Sequence, residues 1–359
     1  MLNIYPESLK PVFHLSLLFG FMRYQNVCIE SIEYVIPNEE LRTTDIESSI
    51  VPLYKKLGLK PGWLQVVTGI RSRRFWGLDT KPSDIATWAG EKALRKTKLH
   101  RSQIQALISC SVCKDYIEPS VAAFVHGNLR LSPSCVNFDM GNACLGFLTG
   151  IMHVADMIEL GRIEVGMVVA GENSRAPTEA TLERLQEPAA DMQTFKDNLA
   201  TLTLGSAGVA MILTSKKIST TNHQFLGGIA RAATQWSRLC VGTETKMITD
   251  PAKLLVEGVK LAQQTWSEVH QDVELHPYQT KEYALHQVGR ANHDAVIRAL
   301  KLPPNKALRI YIDHGNVGSC GVPLTLAKLV ERGRVQSGDR IGLMGIGSGL
   351  NVMMLGVQW

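Results

Sequence analysis

The sequence Val136-Asn-Phe-Asp-Met-Gly-Asn-Ala-Cys144-Leu-Gly-Phe147 predicts an apolar strand that turns sharply into an apolar helix, with a cysteine at the turn. A thiol at the start of a helix lies beside unpaired backbone N–H groups and the positive end of the helix dipole, which favour the thiolate. Cys144 is therefore a candidate nucleophile. The alternative is a cysteine that only packs, because most buried thiols are inert.

Two polar residues further along the chain also follow short apolar runs. His286 follows Tyr283-Ala-Leu, and Asn316 closes the sequence Ile310-Tyr-Ile-Asp-His-Gly-Asn. A nucleophile and two polar groups at strand ends suggest acyl transfer through a covalent thioester. Each residue also has a structural interpretation, since His286 could be a satisfied buried histidine and Asn316 could shape a Gly-Asn turn.

The overall composition is that of an ordinary globular chain. Its 359 residues are 45% apolar and 20% charged, and the net charge of +5 is too small to indicate nucleic-acid binding. Seven cysteines at irregular spacing argue against a disulfide framework and favour a reducing compartment. Cys110-Ser-Val-Cys113 has no second cysteine pair, so we interpret it as packing and expect no metal site.

The first 21 residues differ from the rest. Residues 11–22 form an apolar run that is shorter than the roughly 20 residues of a membrane-spanning helix, and no persuasive signal-cleavage site follows it. We interpret residues 1–21 as an N-terminal extension or a misassigned start, with Met22 as the working start and residues 23–32 as the first strand. We expect a cytoplasmic protein.

Strand-like and helix-like runs alternate along the chain, which predicts an α/β layered fold. The predicted strands cover residues 105–112, 136–140, 165–170, 209–214, 307–312 and 341–344. The predicted helices cover residues 83–95, 144–160, 251–271, 292–301 and 322–331. The helix at 144–160 is apolar on nearly every face and is therefore expected to be buried.

A weak internal repeat suggests two similar halves. Gly141 stands 30 residues before Gly171, Gly315 stands 30 residues before Gly345, and both Gly141 and Gly315 are followed by asparagine. We therefore divide the chain into residues 22–215, which carry Cys144, and residues 216–359, which carry His286 and Asn316. A Walker A sequence is absent, and the glycines at 345–349 suit close backbone approach to a substrate or to Cys144.

The motifs Asn142-Ala-Cys144-Leu-Gly-Phe, His286-Gln, Gly315-Asn316 and Gly347-Ser-Gly349 resemble the thiolase superfamily in its ketoacyl-ACP synthase III branch, over about residues 22–359. The resemblance implies a five-layered αβαβα fold of two duplicated halves, usually found as a homodimer. It also implies catalytic roles for Cys144, His286 and Asn316, with the backbone amides of Cys144 and Ser348 as the oxyanion hole. No bound cofactor is implied, since coenzyme A thioesters are the substrates.

The chain departs from two patterns within that superfamily. Typical thiolases carry a second cysteine where Gly345 stands, and Cys320 does not match it, so we interpret Cys320 as packing. Ordinary ketoacyl synthases commonly continue with Ala-Asn in the region where this chain has His286-Gln-Val-Gly-Arg290. These departures argue against a thiolase and leave the ordinary synthases as a more distant match.

A closer resemblance is to the enzymes that join two acyl chains head to head at the start of bacterial long-chain olefin synthesis. It extends through Asp115-Tyr-Ile-Glu118-Pro-Ser and Ile346-Gly-Ser-Gly-Leu-Asn351. The resemblance implies that Glu118 reaches into the partner subunit's active site. As a base there, it suits non-decarboxylative Claisen condensation of two fatty acyl-CoA molecules. Downstream olefin-pathway enzymes become candidate partners. Glu118 could instead be a solvated loop charge.

The stretch Arg71-Ser-Arg73-Arg74-Phe-Trp76 resembles an entrance for the coenzyme phosphates with a stacking aromatic residue, although a plain basic surface fits nearly as well. We therefore name as candidate substrate-binding residues Arg71, Arg73, Arg74, Trp76, Gly347 and Gly349. Three other functions stay open at this point. They are a decarboxylative 3-oxoacyl-ACP synthase III that uses malonyl-ACP, an acyl-CoA thioesterase, and a non-catalytic acyl-binding subunit.

Overall fold

The computed structural model describes residues 21–243, 245–272 and 279–359. The predicted N-terminal extension at residues 1–21 lies outside the described residues except for Phe21, which begins the first strand. No helix in the described part of the chain is both long enough and apolar enough to span a bilayer.

The strands, numbered in chain order, are β1 Phe21–Arg23, β2 Val27–Val35, β3 Glu39–Arg42, β4 Ser72–Phe75, β5 Ala106–Ser109, β6 Val136–Asp139, β7 Val165–Glu172, β8 Ala207–Ser215, β9 His223–Ala232, β10 Cys240–Gly242, β11 Met247–Thr249, β12 Glu282–Leu285, β13 Arg340–Gly347 and β14 Asn351–Gln358. The α-helices are α1 Thr43–Ser49, α2 Val51–Leu57, α3 Trp63–Thr68, α4 Pro82–Arg95, α5 Val121–Asn128, α6 Gly146–Glu159, α7 Arg175–Gln186, α8 Met192–Asn198, α9 Pro251–Asp272, α10 Arg290–Ala299, α11 Tyr311–His314 and α12 Gly321–Glu331. Short 3₁₀ helices cover Arg101–Gln103, Ala143–Leu145, Thr201–Thr203, Thr234–Leu239, Pro304–Lys306 and Gly318–Cys320.

The main sheet has the strand order β12-β13-β14-β9-β2-β8-β7-β5-β6, with β1 also paired to β9. Its two halves share one pairing pattern. From β2, two antiparallel pairings lead through β8 to β7 and a parallel pairing to β5. From β9, two antiparallel pairings lead through β14 to β13 and a parallel pairing to β12. The repeated order confirms the predicted duplication, while the boundary between residues 215 and 216 stays a prediction.

Helices and sheet halves pack in five layers. The central core buries α6 and α12 between the two halves, with side chains such as Phe147, Ile151 and Leu326. A second cluster packs α4 and α5 on the outer face of the first half. A third packs α9 and α10 on the outer face of the second half. The predicted αβαβα arrangement is therefore present, and the buried helix expected after Cys144 lies at its centre.

The prediction of a strand at residues 307–312 is wrong. This segment has no strand, and α11 begins at Tyr311. The Gln287 side chain pairs with the backbone instead, because its Nε2 donates to the Leu308 carbonyl at 2.8 Å and its Oε1 accepts from the N–H groups of Ile310 and Tyr311 at 2.9 and 3.1 Å. Backbone groups that are satisfied by a side chain need no neighbouring strand.

The first strand, predicted at residues 23–32, is divided into β1 and β2. The division has a topological reason, because β1 pairs with β9 of the second half whereas most of β2 pairs with β8 of the first half. The remaining predicted strands and helices are confirmed, with ends shifted by up to three residues.

Candidate active site

Cys144 lies in the tight connection between β6 and α6. Ala143 adopts a φ of 45°, a left-handed conformation that side-chain-bearing residues avoid. The 3₁₀ helix Ala143–Leu145 then runs directly into α6, and Cys144 is half-buried. Backbone strain of this kind persists only where the surrounding structure imposes it, which is common at functional sites.

Burial opposes the thiolate that the helix start favours at Cys144. Burial raises the pKa of Cys144 to about 12, and the charges of Cys240 and Glu172 act in the same direction. A helix N-terminus contributes only about 1 kcal/mol, which is less than the cost of burying a charge. Attack by Cys144 therefore requires a base that takes the proton of its thiol.

His286 directly follows β12, and both it and Leu145 of the nucleophile turn lie close to Gly345. A Cβ atom on Gly345 would stand 2.6 Å from Leu145 Cδ2 and 3.2 Å from His286 Cβ, so only glycine fits between them. The His286 ring is buried, and burial lowers its pKa to about 4. A neutral imidazole is the form that can accept a proton from a thiol.

The lowered pKa predicts an acid-sensitive fold. Below pH 6.5 the unfolded chain protonates His286 while the folded protein resists, so the free energy of unfolding falls as pH falls. Between pH 7.5 and 5 the expected loss from His286 is about 2 kcal/mol. Urea unfolding should show that His286→Asn reduces the pH-dependent loss by this amount, whereas His153→Asn at an exposed histidine should not. Equal losses in wild type and His286→Asn would contradict the prediction.

Asn316 is held by its backbone beside the 3₁₀ helix Thr201–Thr203. Its N–H donates to the Thr203 carbonyl and its own carbonyl accepts from the Gly205 N–H, both at 2.8 Å. Its Oδ1 accepts from the Gly318 N–H at 3.1 Å. Among the described residues Nδ2 has no hydrogen-bond partner, so this nitrogen is available to a substrate oxygen.

The glycine before Asn316 is required by close packing. Gly315 has a φ of 64°, and a Cβ atom there would stand 2.5 Å from the Thr203 carbonyl oxygen. The Gly315-Asn316 motif therefore follows from its contact with residue 203.

The glycine-rich turn after β13 packs on the nucleophile turn. A Cβ atom on Gly347 would stand 2.9 Å from Leu145 Cγ. Asn351 Nδ2 also donates to Asn142 Oδ1 at 2.9 Å. These contacts place Ser348 beside the turn that carries Cys144, as an oxyanion hole made by both backbone amides requires. Asn142 and Asn351 both stand in motifs of the sequence, but nothing in the sequence reveals that their side chains pair.

Glu118 lies in the loop between β5 and α5 and points to solvent. The neighbouring Tyr116 and Ile117 are also exposed, Ile117 by 99%. The base of the loop is fixed by Asp139, which accepts from the N–H groups of Val121 and Ala122 at 3.1 and 2.8 Å. An anchored loop with an exposed apolar tip and an exposed carboxylate is suited to insertion into a partner.

The prediction that Arg73 binds coenzyme phosphate is wrong. Arg73 is fully buried, and its guanidinium donates to Thr43 Oγ1 at 2.9 Å and to the Leu202 carbonyl at 2.7 Å. It supports the segment that holds Asn316, since its Cβ is 3.4 Å from the Cβ position of Gly315. A guanidinium enclosed by protein has no access to a phosphate.

The other residues of that basic stretch are nearer the surface. Arg71 forms an exposed ion pair with Asp313 at 2.5 Å. Arg74 is partly buried and donates to the Asn38 carbonyl at 3.0 Å, and the Trp76 ring packs on Trp88 at 5.3 Å. Phosphate binding by Arg71 and Arg74, and stacking by Trp76, stay predictions.

The substrate role given to Gly347 and Gly349 also stays a prediction, because packing already explains both glycines. Gly347 contacts Leu145, and Gly349 has a φ of 141° beside Asn351. Among the described residues, no group of histidine, cysteine, aspartate or glutamate side chains is arranged to hold a metal ion.

Comparison with known proteins identifies the family. The chain is 40% identical to the acyl-CoA:acyl-CoA alkyltransferase of Xanthomonas campestris pv. campestris, over 94% of this chain and 100% of that protein. The protein of the same name from Shewanella oneidensis is 38% identical over the same shares of both chains. The chain belongs to the acyl-CoA:acyl-CoA alkyltransferase family. The family description 3-oxoacyl-[acyl-carrier-protein (ACP)] synthase III C terminal also matches residues 271–359.

Solved structures agree with this membership. The crystal structure of cerulenin-bound Xanthomonas campestris OleA superposes with a TM-score of 0.93 at 40% identity, covering 94% of this chain and 98% of that one. Structures of the same OleA with a cysteine, a glutamate or a histidine replaced superpose with TM-scores of 0.92 to 0.93. The β-ketoacyl-[acyl-carrier-protein] synthase III of Fusobacterium nucleatum is only 24% identical, over 93% of this chain and 99% of that protein. The acyl-CoA:acyl-CoA alkyltransferases and OleA are therefore much more similar to this chain.

Proposed function

We propose that this protein is an acyltransferase that condenses two fatty acyl-CoA molecules head to head without loss of carbon dioxide. The observation that carries the proposal is the 40% identity to an acyl-CoA:acyl-CoA alkyltransferase over that protein's full length. The site supports it, because Leu145 of the nucleophile turn and His286 both approach the Cβ position of Gly345, and His286 Nδ1 is 3.0 Å from the Cβ position of Gly321 at the start of α12. Asn316 lies just before the 3₁₀ helix that leads into α12.

The first half-reaction forms the acyl-enzyme. Cys144 Sγ attacks the acyl-CoA carbonyl carbon while its proton passes to His286, and coenzyme A leaves as a thiol after taking up that proton. The backbone N–H groups of Cys144 and Ser348 stabilise the oxyanion of the tetrahedral intermediate. The acyl group is then held as a thioester on Cys144.

The second half-reaction makes the carbon–carbon bond. Glu118 of the partner subunit removes the α-proton of a second acyl-CoA, and His286 and Asn316 donate hydrogen bonds to the enolate oxygen. The enolate carbon attacks the Cys144 thioester, and Cys144 leaves as a thiolate, so a 2-alkyl-3-ketoacyl-CoA results. Glu118 then releases the proton that it removed, and Cys144 takes up one proton to return to its thiol form. Hydrolysis of that thioester gives the 2-alkyl-3-ketoacid.

The proposed function also covers the oligomeric state, the compartment and the substrates. The protein acts as a homodimer in the cytoplasm, without a bound metal or organic cofactor, on acyl-CoA or acyl-ACP thioesters. Its product is passed to downstream enzymes of olefin synthesis. The exposed apolar tip beside Glu118 supports the homodimer, because it brings a carboxylate to a surface suited to burial against a second copy.

The test is an incubation of the purified protein with one saturated fatty acyl-CoA and no malonyl thioester. We expect a 2-alkyl-3-ketoacid by mass spectrometry. Product formation that strictly requires malonyl-ACP would instead identify a decarboxylative 3-oxoacyl-ACP synthase III. Free fatty acid as the sole product would identify a thioesterase.

Asn316→Ala is expected to slow condensation by roughly 10²–10³-fold, because one oxyanion donor is lost from the transition state. Acylation of Cys144 uses a different oxyanion hole and should change little. Single-turnover assays of preformed acyl-enzyme with a second acyl-CoA measure this step directly. Asn38→Ala, at an exposed asparagine, is the control. Equal slowing of acylation and condensation would contradict the assigned role.

A further inference from the structure

Glu172 is a buried carboxylate that the proposed mechanism does not use. It is the last residue of β7 and is 2% exposed, and within the described part of the chain it has no lysine, arginine or histidine partner in an ion pair. Three backbone N–H groups donate hydrogen bonds to this carboxylate instead. Oε1 accepts from Val112 at 2.9 Å and from Ser319 at 3.3 Å, and Oε2 accepts from Cys113 at 3.0 Å.

These donors belong to two segments that carry proposed catalytic groups. Val112 and Cys113 lie near the start of the loop between β5 and α5, which carries Glu118. Ser319 lies three residues after Asn316, in the 3₁₀ helix Gly318–Cys320 that leads into α12.

The second segment packs tightly on the carboxylate and reaches the nucleophile helix. A Cβ atom on Gly318 would stand 3.2 Å from Glu172 Oε1, which is tighter than an ordinary contact, and Gly318 also has a φ of 56° that favours glycine. Ser319 Oγ in turn accepts from the Phe147 N–H at 3.0 Å, in the first turn of α6. One carboxylate therefore joins the Glu118 loop and the Asn316 segment, and through Ser319 it joins α6.

We propose that Glu172 is a positioning residue that fixes the Glu118 loop and the Asn316 segment relative to each other. The inference rests on the proposed function, in which Glu118 serves the partner's site and Asn316 serves its own. Glu172 thus connects the base supplied to one active site with the oxyanion donor of the other.

A charge effect separates this role from general support of the fold. The negative charge of Glu172 contributes to the raised pKa of Cys144, although burial also raises the pKa of Glu172 itself. Glu172→Gln therefore removes one influence that opposes the Cys144 thiolate. The glutamine also places an NH₂ group against one of the three N–H donors and releases that contact. Acylation should therefore be preserved or accelerated, while condensation should become slower.

A matched control exists at Glu30 in β2. Glu30 is 6% exposed and accepts from the N–H and Oγ1 of Thr220 and from Ser219 Oγ at 3.0 Å. It is thus a buried, multiply hydrogen-bonded carboxylate whose described partners belong to neither catalytic segment. Glu30→Gln should perturb stability without changing the ratio of condensation to acylation.

The experiment measures both half-reactions in wild type, Glu172→Gln and Glu30→Gln, using acyl-CoA and intact-protein mass spectrometry. For Glu172→Gln we expect condensation to fall about 10²-fold, acylation to stay within about threefold, and a larger share of acyl-enzyme to be lost as free fatty acid. If Glu172→Gln does not fold, the ratio of condensation to acylation is measured in Glu172→Asp instead, which keeps the negative charge on a shorter side chain.

Equal loss of both half-reactions, or the same ratio in Glu172→Gln and Glu30→Gln, would overturn the positioning role. Failure of the wild-type protein to make any 2-alkyl-3-ketoacid from acyl-CoA would overturn the proposed function, and this inference with it. The two failures are distinguishable because the first leaves the wild-type product intact.

Discussion

Cys144→Ala is expected to abolish acyl-enzyme formation and to lower 2-alkyl-3-ketoacid production by about 10⁴-fold or more. Covalent catalysis divides the reaction at a thioester on this sulfur, so its removal leaves only binding and the oxyanion hole. Intact-protein mass spectrometry after incubation with a fatty acyl-CoA measures the effect, because the wild-type chain gains the mass of one acyl group.

Cys240 offers the sharpest control for that substitution. It lies at the start of β10, is half-buried, and interacts electrostatically with Cys144. Cys240→Ala should keep the acyl adduct. An acyl adduct of wild-type size on Cys144→Ala that is lost in Cys240→Ala would assign the nucleophile to Cys240.

Glu118→Gln is expected to lower condensation by about 10³-fold while acylation of Cys144 proceeds at the wild-type rate. A general base contributes roughly 10²–10⁴-fold, and the amide cannot take the α-proton. The acyl-enzyme should therefore accumulate. Glu187→Gln is a matched control, because Glu187 is also an exposed glutamate that precedes a proline. Loss of acylation in Glu118→Gln would contradict the assignment.

Mixed dimers test whether Glu118 acts across the interface. One subunit with Cys144→Ala and a partner with Glu118→Gln rebuild one complete site, in which the intact cysteine of the second subunit meets the intact glutamate of the first. Coexpressed and separately tagged subunits should recover a large part of the activity per complete site. No recovery in purified mixed dimers would place Glu118 in its own subunit's site or outside the reaction.

The sequence predicted those parts of the site that depend on local patterns. Cys144 at a strand-to-helix turn, the buried helix after it, and His286 at a strand end were all recognisable, because each follows from the position of an apolar run. Gly315 and Gly345 belong to the glycine repeat of the sequence, and the structure explains both. A Cβ atom on Gly315 would clash with the Thr203 backbone, and one on Gly345 would clash with the Leu145 side chain.

The predictions that are wrong concern residues whose structure is set by contacts with distant parts of the chain and not by the local sequence pattern. Residues 307–312 read as a strand, yet the Gln287 side chain satisfies their backbone from more than 20 residues away. Arg73 read as a surface cation, yet it is enclosed beside the Asn316 segment. The helix terminus alone favours a thiolate at Cys144, whereas burial, which the local pattern does not reveal, raises the pKa of this thiol.

Glu172 shows the same limit of sequence-based prediction, here for a set of contacts that the sequence does not indicate. The sequence shows a glutamate after an apolar run, but the residues that donate hydrogen bonds to it lie 59, 60 and 147 positions away. Only the folded chain brings residues 112, 113 and 319 to one carboxylate, so the connection between the two catalytic segments could not be predicted.

The most direct test of the account follows the carboxyl carbons of the substrate. The protein is supplied with a fatty acyl-CoA labelled with ¹³C at C1 as the only thioester, and the product is analysed by mass spectrometry and NMR. The account predicts a 2-alkyl-3-ketoacid that carries label at both C1 and C3, with no labelled carbon dioxide formed during condensation. The absence of product from acyl-CoA alone, with a product that appears only after malonyl-ACP is added and with loss of carbon dioxide, would contradict it.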